Sequence, residues 1–205
     1  LMKLIAQLKL NATEEQHQAL LETLKRANDA CNYISEIAWK EKTFRKYPLH
    51  KLAYYPTKEK FKLSAQVIIR CIAKVVDAYK LDKQNQRIFR RHGSIAYDSR
   101  ILTYAKDSVS IWTITGRKHI PFECGEHQKQ MLVTQQGESD LIYRNGKFYL
   151  HVLCNVEEPP TDKPNGVLGI DLGIVNIAVD NDGEIHSAQA IEKVRVHYAN
   201  LRAEL

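Results

Sequence analysis

The sequence predicts an α+β fold: an antiparallel, OB-like β-barrel carrying an inserted helical segment, followed by the first strands and helix of a further, incomplete domain. Three observations predict it. The apolar period is near two over residues 2–10, changes to 3.6 over residues 13–79 and returns to two from His92 onward. Asn145-Gly146 sits between two alternating runs and is the strongest hairpin signal in the chain. Pro159, Pro160 and Pro164 then interrupt any ladder, so residues 157–164 read as a linker ahead of the most apolar stretch, residues 166–180.

Each element follows from local chemistry. Residues 2–10 alternate loosely and read as one strand. Thr13-x-x-Gln16 is a capping box, and Leu20, Leu24, Ala27, Cys31, Ile34 and Ala38 mark one face of a helix over residues 14–40. Pro48 and Pro56 bracket a loop with at most one helical turn. A second helix is expected from Thr57 to Tyr79, striped by Phe61, Ala65, Ile68, Ile72, Val75 and Tyr79, so that the two helices form a hairpin. Lys80–Arg91 is polar and basic and leads out of it. Beyond it, residues 94–97, 101–104, 109–114, 118–122, 130–134, 140–143 and 147–156 are strand candidates, with a turn at Thr115-Gly116. After the linker, residues 166–180 run apolar, Asn181-Asp182-Gly183 turns, Glu184–Ser187 pairs back, and a helix starts at Ile191 with Val194, Tyr198 and Leu201 on the same face.

Composition narrows the function. With 205 residues, 44% apolar and 26% charged, the chain can bury a core, which excludes wholesale disorder. No run of 18 apolar residues suggests a membrane span, and no signal peptide is recognisable, so a cytoplasmic protein is expected. Cys31, Cys71, Cys124 and Cys154 are widely spaced without a C-x-x-C, which argues for buried thiols rather than a zinc site. The net charge of +6 is uneven: residues 1–92 hold 19 Lys and Arg against 9 Asp and Glu, while residues 166–205 hold 3 against 6. A segment that basic repels itself, and a polyanion such as nucleic acid relieves the repulsion. Acidic groups beside a polyanion site are in turn the groups that ligate divalent ions.

Asp171 is the candidate metal-binding residue, the alternatives being the cap of a hydrogen-bond network or an acid at a strand end that faces solvent and bonds a backbone N–H. It sits between Ile170 and Leu172 in an apolar strand, where an ionised carboxylate is costly to bury without a partner, and Gly169 and Gly173 clear space beside it. Asp180 and Asp182 border a glycine turn and are explained by turn chemistry. The candidate nucleic-acid contacts are Arg70, Lys74, Arg87, Arg90, Arg91, Tyr97 and Arg100. Among them Phe89 lies between clustered guanidinium groups, a mixture suited to a nucleic-acid backbone or a stacked base.

The stretch Gly169–Val179 resembles the first RuvC motif of the TnpB (OrfB) family of insertion-sequence RNA-guided nucleases, relatives of type V CRISPR effectors. Ser94–Arg100 is similar to the segment opening that family's second block of barrel strands. Asp140–Leu150 resembles its hairpin before the nuclease domain, and Val194–Arg202 looks like the start of its long helix. The resemblance implies a wedge β-barrel from residues 1–12 and 93–163, a helical recognition lobe from residues 13–92, and the start of an RNase H-like (RuvC) domain from residues 164–205. It implies guide RNA and target DNA as partners, the guide–target heteroduplex being read through its backbone geometry by positive charge. It also implies DNA cleavage by two divalent ions (Mg2+) about 4 Å apart, with Asp171 as the first metal-binding carboxylate. The family's other carboxylates and its four-cysteine zinc finger come from later motifs. The resemblance therefore covers the first half of a full protein, and residues 1–205 alone are expected not to cleave. A nuclease-dead RNA-guided DNA-binding relative is one alternative. Another is a sugar-kinase-like or chaperone-like ATPase, disfavoured because Ile174 and Val175 offer no hydroxyl to a phosphate.

Overall fold

The computed structural model describes residues 1–158, 166–173 and 175–203. They divide into two compact units, up to Glu158 and from residue 159 on. Residues 159–165, which hold most of the linker expected at 157–164, lie outside the described residues, as do Ile174 and the last two residues of the chain.

The first unit begins with β1 (Met2–Leu10) and α1 (Glu14–Lys40). The capping box forms: Gln16 N donates to Thr13 Oγ1 at 3.3 Å, and Thr13 N donates to Gln16 Oε1 at 3.0 Å. All six stripe residues of α1 are buried.

The next stretch corrects the sequence reading. Residues expected as a loop form α2 (Lys46–Phe61), and the single expected helix over 57–79 is divided between α2 and α3 (Ala65–Leu81), giving three helices rather than a hairpin of two. Pro48 stands in the first turn of α2, where the missing N–H has no acceptor to lose. Pro56 is interior, but it and Leu52 lie on the exposed side, where water replaces the lost donor. The division falls at Lys62, which adopts the left-handed conformation with φ 53° and donates its N–H to Lys58 O at 3.1 Å. Ser64 then caps α3 by accepting from Val67 N. Leu63 and Ile68, before the cap and in the next turn, are both buried in the core, the positions of a hydrophobic staple.

The sheet strands are β2 (Ile95–Tyr97), β3 (Leu102–Tyr104), β4 (Ser108–Thr113), β5 (Gly116–Glu123), β6 (Gln135–Arg144) and β7 (Lys147–Val156), with α4 (Glu126–Leu132) between β5 and β6. The strand expected at 130–134 is therefore mostly helix. Gly125 caps α4, the segment is rich in Glu, Gln, Lys and Leu, and Met131 anchors it in the core. The seven strands run in the order β2-β6-β7-β1-β5-β4-β3, every pair antiparallel. As expected, β1 joins the sheet: it pairs along its length with β7, from Met2↔Val156 to Leu10↔Phe148, and with β5 at Lys9↔Glu123. The sheet nearly closes. Tyr104 Oη on β3 donates to Ser139 Oγ on β6 at 2.6 Å, and Tyr97 Oη on β2 donates to Trp112 O on β4 at 3.2 Å. Burial and the bond to Ser139 act in opposite directions on the Tyr104 hydroxyl; burial dominates and its pKa is pushed up to about 12.

The period of two is visible in burial. Val109, Ile111 and Thr113 of β4 and Phe148, Leu150, Val152 and Cys154 of β7 all point inward. One hydrophobic cluster includes these apolar residues together with the stripes of α1 and α3, so helices and barrel share a core.

The β6–β7 turn has φ 50° at Asn145 and 74° at Gly146, the pair of positive values that a type I′ turn requires. Gly146→Ala would meet no neighbouring atom yet must hold a left-handed conformation. The expected outcome is a loss of roughly 1 kcal/mol in urea unfolding; an unchanged midpoint would mean that this turn does not need its glycine.

The second unit comprises β8 (Ile170–Asp171), β9 (Asn176–Asp180), β10 (Ile185–Ser187) and α5 (Gln189–Ala203), with sheet order β10-β9-β8. The helix starts two residues before the expected Ile191. The apolar run is not buried as the sequence reading assumed: Leu172 is 75% and Val175 82% exposed, and no described residue of α5 is buried.

Candidate nucleic-acid interface

The interface starts from α1, whose polar side chains tie down the segment leading out of α3. Asn28 Nδ2 donates to Gly93 O at 2.7 Å. Asn32 donates to Phe89 O at 3.0 Å and accepts from Phe89 N at 2.7 Å, and Ser35 Oγ donates to Arg87 O at 2.6 Å. These residues stand four and three apart, on one face of the helix. They supply side-chain partners to a backbone that has no ladder of its own, and they fasten residues 87–93, which turn at Arg91-His92, to α1.

That arrangement separates the predicted contacts into two groups. Arg90 and Arg91 are exposed, with Arg91 Nε 3.6 Å from Asp29. Arg100 is exposed too and donates to Gln66 Oε1 at 3.0 Å. These three remain available to a phosphate.

The other four make intramolecular contacts. Arg70 is only 17% exposed and is paired with Asp98, at 3.1 Å, and with Glu138. Lys74 donates to Asn28 Oδ1 at 2.8 Å and Ser94 O at 2.7 Å, and lies over the Phe89 ring. Arg87 is paired with Asp82. Tyr97 is 1% exposed, inside the barrel, so no base can stack on it; burial pushes its hydroxyl pKa well up.

Sequence reasoning missed a stronger cationic site. Between the α1–α2 loop, α2 and the end of α3 lies a hollow of about 450 Å³, lined by Phe44 and the cations Arg45, Lys46, Arg70, Lys80 and Lys83, with Asp77 and Glu138 as its acidic members. A smaller hollow of about 240 Å³ also uses Phe44, Arg45 and Lys83, and adds Lys42 and Pro48. Phe44 forms the floor, its ring 4.5 Å from that of Tyr79. Lys80 is paired with Asp77 at 2.6 Å, whereas Lys42, Arg45, Lys46 and Lys83 have no ion-pair partner among the described residues. Unpaired cations around an apolar floor hold an anion with an apolar or aromatic body, as a nucleotide has. The signal lay in Lys40–Lys46, four cations in seven residues.

Asp171 is exposed on β8, opposite Val179 of β9. The premise of a carboxylate buried in an apolar strand is corrected. Asp180 does what turn chemistry predicts, its Oδ1 accepting from Asp182 N at 3.0 Å and Glu184 N at 2.8 Å. Among the described residues no three His, Cys, Asp or Glu side chains converge as metal ligands. Asp171 alone does not fit a two-metal centre, since magnesium keeps its waters and needs more than one anionic anchor. Three of the four cysteines are buried and Cys124 is half-buried.

No protein-family model matches the chain. No curated protein matches it. Among solved structures, the chain is similar to one determined by cryo-EM as a CRISPR-Cas12f ternary complex, with a TM-score of 0.44 and 11% identity, over 91% of this chain and 52% of that one. The chain thus spans about half the length of that relative. No helix among the described residues is long and apolar enough to cross a membrane.

Proposed function

We propose that this chain binds nucleic acid through its helical segment, as the N-terminal part of a transposon-encoded RNA-guided DNA endonuclease of the TnpB kind. The observation that carries the proposal is the hollow between α2 and α3, where Arg45, Lys46 and Lys83 surround Phe44 without acidic partners among the described residues. The barrel entered by β1 and interrupted by helices supports the same reading, because that is the threading the motif resemblance implies. Guide RNA and its heteroduplex with target DNA are the proposed ligands, held through phosphates rather than bases. Asp171 would supply one carboxylate of a magnesium site whose remaining ligands lie outside the described residues.

Expression beside the flanking genomic DNA, followed by sequencing of the RNA that co-purifies, tests the proposal. RNA enriched from the chain's own locus is the expected result. Absence of any bound nucleic acid at low salt would sink it. In a longer protein that cleaves DNA, Asp171→Ala is expected to abolish cleavage and leave RNA binding within about twofold; retained cleavage removes the role assigned to Asp171.

A further inference from the structure

We infer that the outward face of α2 is a stacking platform for single-stranded nucleic acid, distinct from the cationic hollow. The inference rests on the nucleic-acid reading above and adds a second, differently built contact.

The face is unusual for a helix. Tyr47 is 83% and Tyr55 75% exposed, and Lys51, Lys58 and Lys62 are exposed with them. Steps of four, four and three place Tyr47, Lys51, Tyr55 and Lys58 on one side of the helix, and Lys62 follows at its C-terminal end. The opposite side, Leu49, Ala53 and Thr57, is buried, which fixes the tyrosines outward. Glu59 is the only acidic residue of α2, so the face is strongly cationic. Neighbouring cations already lie on aromatic rings: Lys60 Nζ is 4.3 Å from the Tyr33 centroid and Lys58 Nζ 5.9 Å from that of Tyr54.

Two large rings left in water beside three lysines match a ligand with π-faces and negative charge in alternation. Unpaired bases stack on Tyr47 and Tyr55, whose Cα atoms are about 12 Å apart along the helix, while Lys51, Lys58 and Lys62 meet the intervening phosphates. A duplex, with its bases already stacked, offers these rings nothing. The platform therefore selects unpaired strand through its two exposed rings.

The test uses the whole chain and fluorescence anisotropy with oligouridine, oligothymidine and a blunt DNA duplex of equal length. Tyr47→Ala with Tyr55→Ala is expected to weaken single-strand binding tenfold or more, leave the duplex within about twofold, and leave the salt slope unchanged, because stacking releases no counterions. Tyr47→Phe with Tyr55→Phe is expected to keep single-strand affinity and controls for folding. The two homopolymers decide between RNA and DNA as the source of the strand. Single-strand affinity unchanged in the alanine variant overturns the platform, as does an equal loss on duplex. Loss of self-association instead, seen by light scattering, assigns the face to a second copy of the chain and also overturns it. If wild-type protein binds none of the three ligands, the nucleic-acid reading itself fails; if it binds them and the tyrosine changes do nothing, only the platform fails.

Discussion

Changing Arg45, Lys46 and Lys83 together to Ala is expected to weaken RNA binding on the order of tenfold or more at low salt and to shallow its salt dependence. Each phosphate contact releases condensed counterions and adds roughly 0.7 to 0.9 to the slope of log affinity against log salt, so three lost contacts should remove about two to three units. The three side chains are exposed and unpaired among the described residues, so their removal leaves no buried charge behind and should hardly alter stability. A titration series at several salt concentrations reads both numbers. Arg90→Ala with Arg91→Ala provides the comparison: both are exposed on the segment that Asn28, Asn32 and Ser35 fasten to α1, and they should shallow the slope by fewer units. A slope unchanged in the triple variant would make the hollow an ordinary solvated surface and would move the interface to Arg90, Arg91 and Arg100.

Why that hollow escaped the sequence reading is a matter of locality. Features encoded within one turn or one hairpin were legible. The Thr13–Gln16 capping box and the apolar stripe gave α1 to the residue, and Asn145-Gly146 gave β7 to the residue. Helix α2 was not legible because its buried face is only Leu49, Ala53 and Thr57, too narrow for a stripe, and because its prolines stand where helices tolerate them. The break at Lys62 depends on a lysine in the left-handed region, where glycine or asparagine is the usual signal. The intramolecular partners of the candidate contacts are hidden from the sequence for a related reason. Whether an arginine is free or spent depends on partners that the sheet brings to it, and Arg70 meets Glu138 across 68 positions of sequence. The burial expected around Asp171 differs in the opposite way: an apolar run predicts a buried strand, but three short strands and one helix leave its neighbours open.

Arg70 is where the corrected reading makes its largest prediction for stability. Its guanidinium links α3 to Asp98, just after β2, and to Glu138 in the bulged start of β6, so one side chain joins the helical segment to the barrel. Arg70 and Asp98 are only 17% and 14% exposed. Arg70→Ala leaves the Asp98 carboxylate largely shielded from water, with Gln66 Nε2 and Arg100 N as its remaining donors. Removing one partner of a shielded pair is more destabilising than replacing both, because the surviving charge keeps its desolvation penalty. The expected loss is about 3 kcal/mol in urea unfolding. Arg70→Met with Asp98→Asn should recover at least half of it, since neither charge then remains. RNA affinity, measured where each variant is fully folded, should stay within about twofold of the parent in both. A large affinity loss in a folded, stable Arg70→Ala protein would return Arg70 to the nucleic-acid contacts first assigned from the sequence. A loss of stability with affinity intact places it in the joint between helices and barrel.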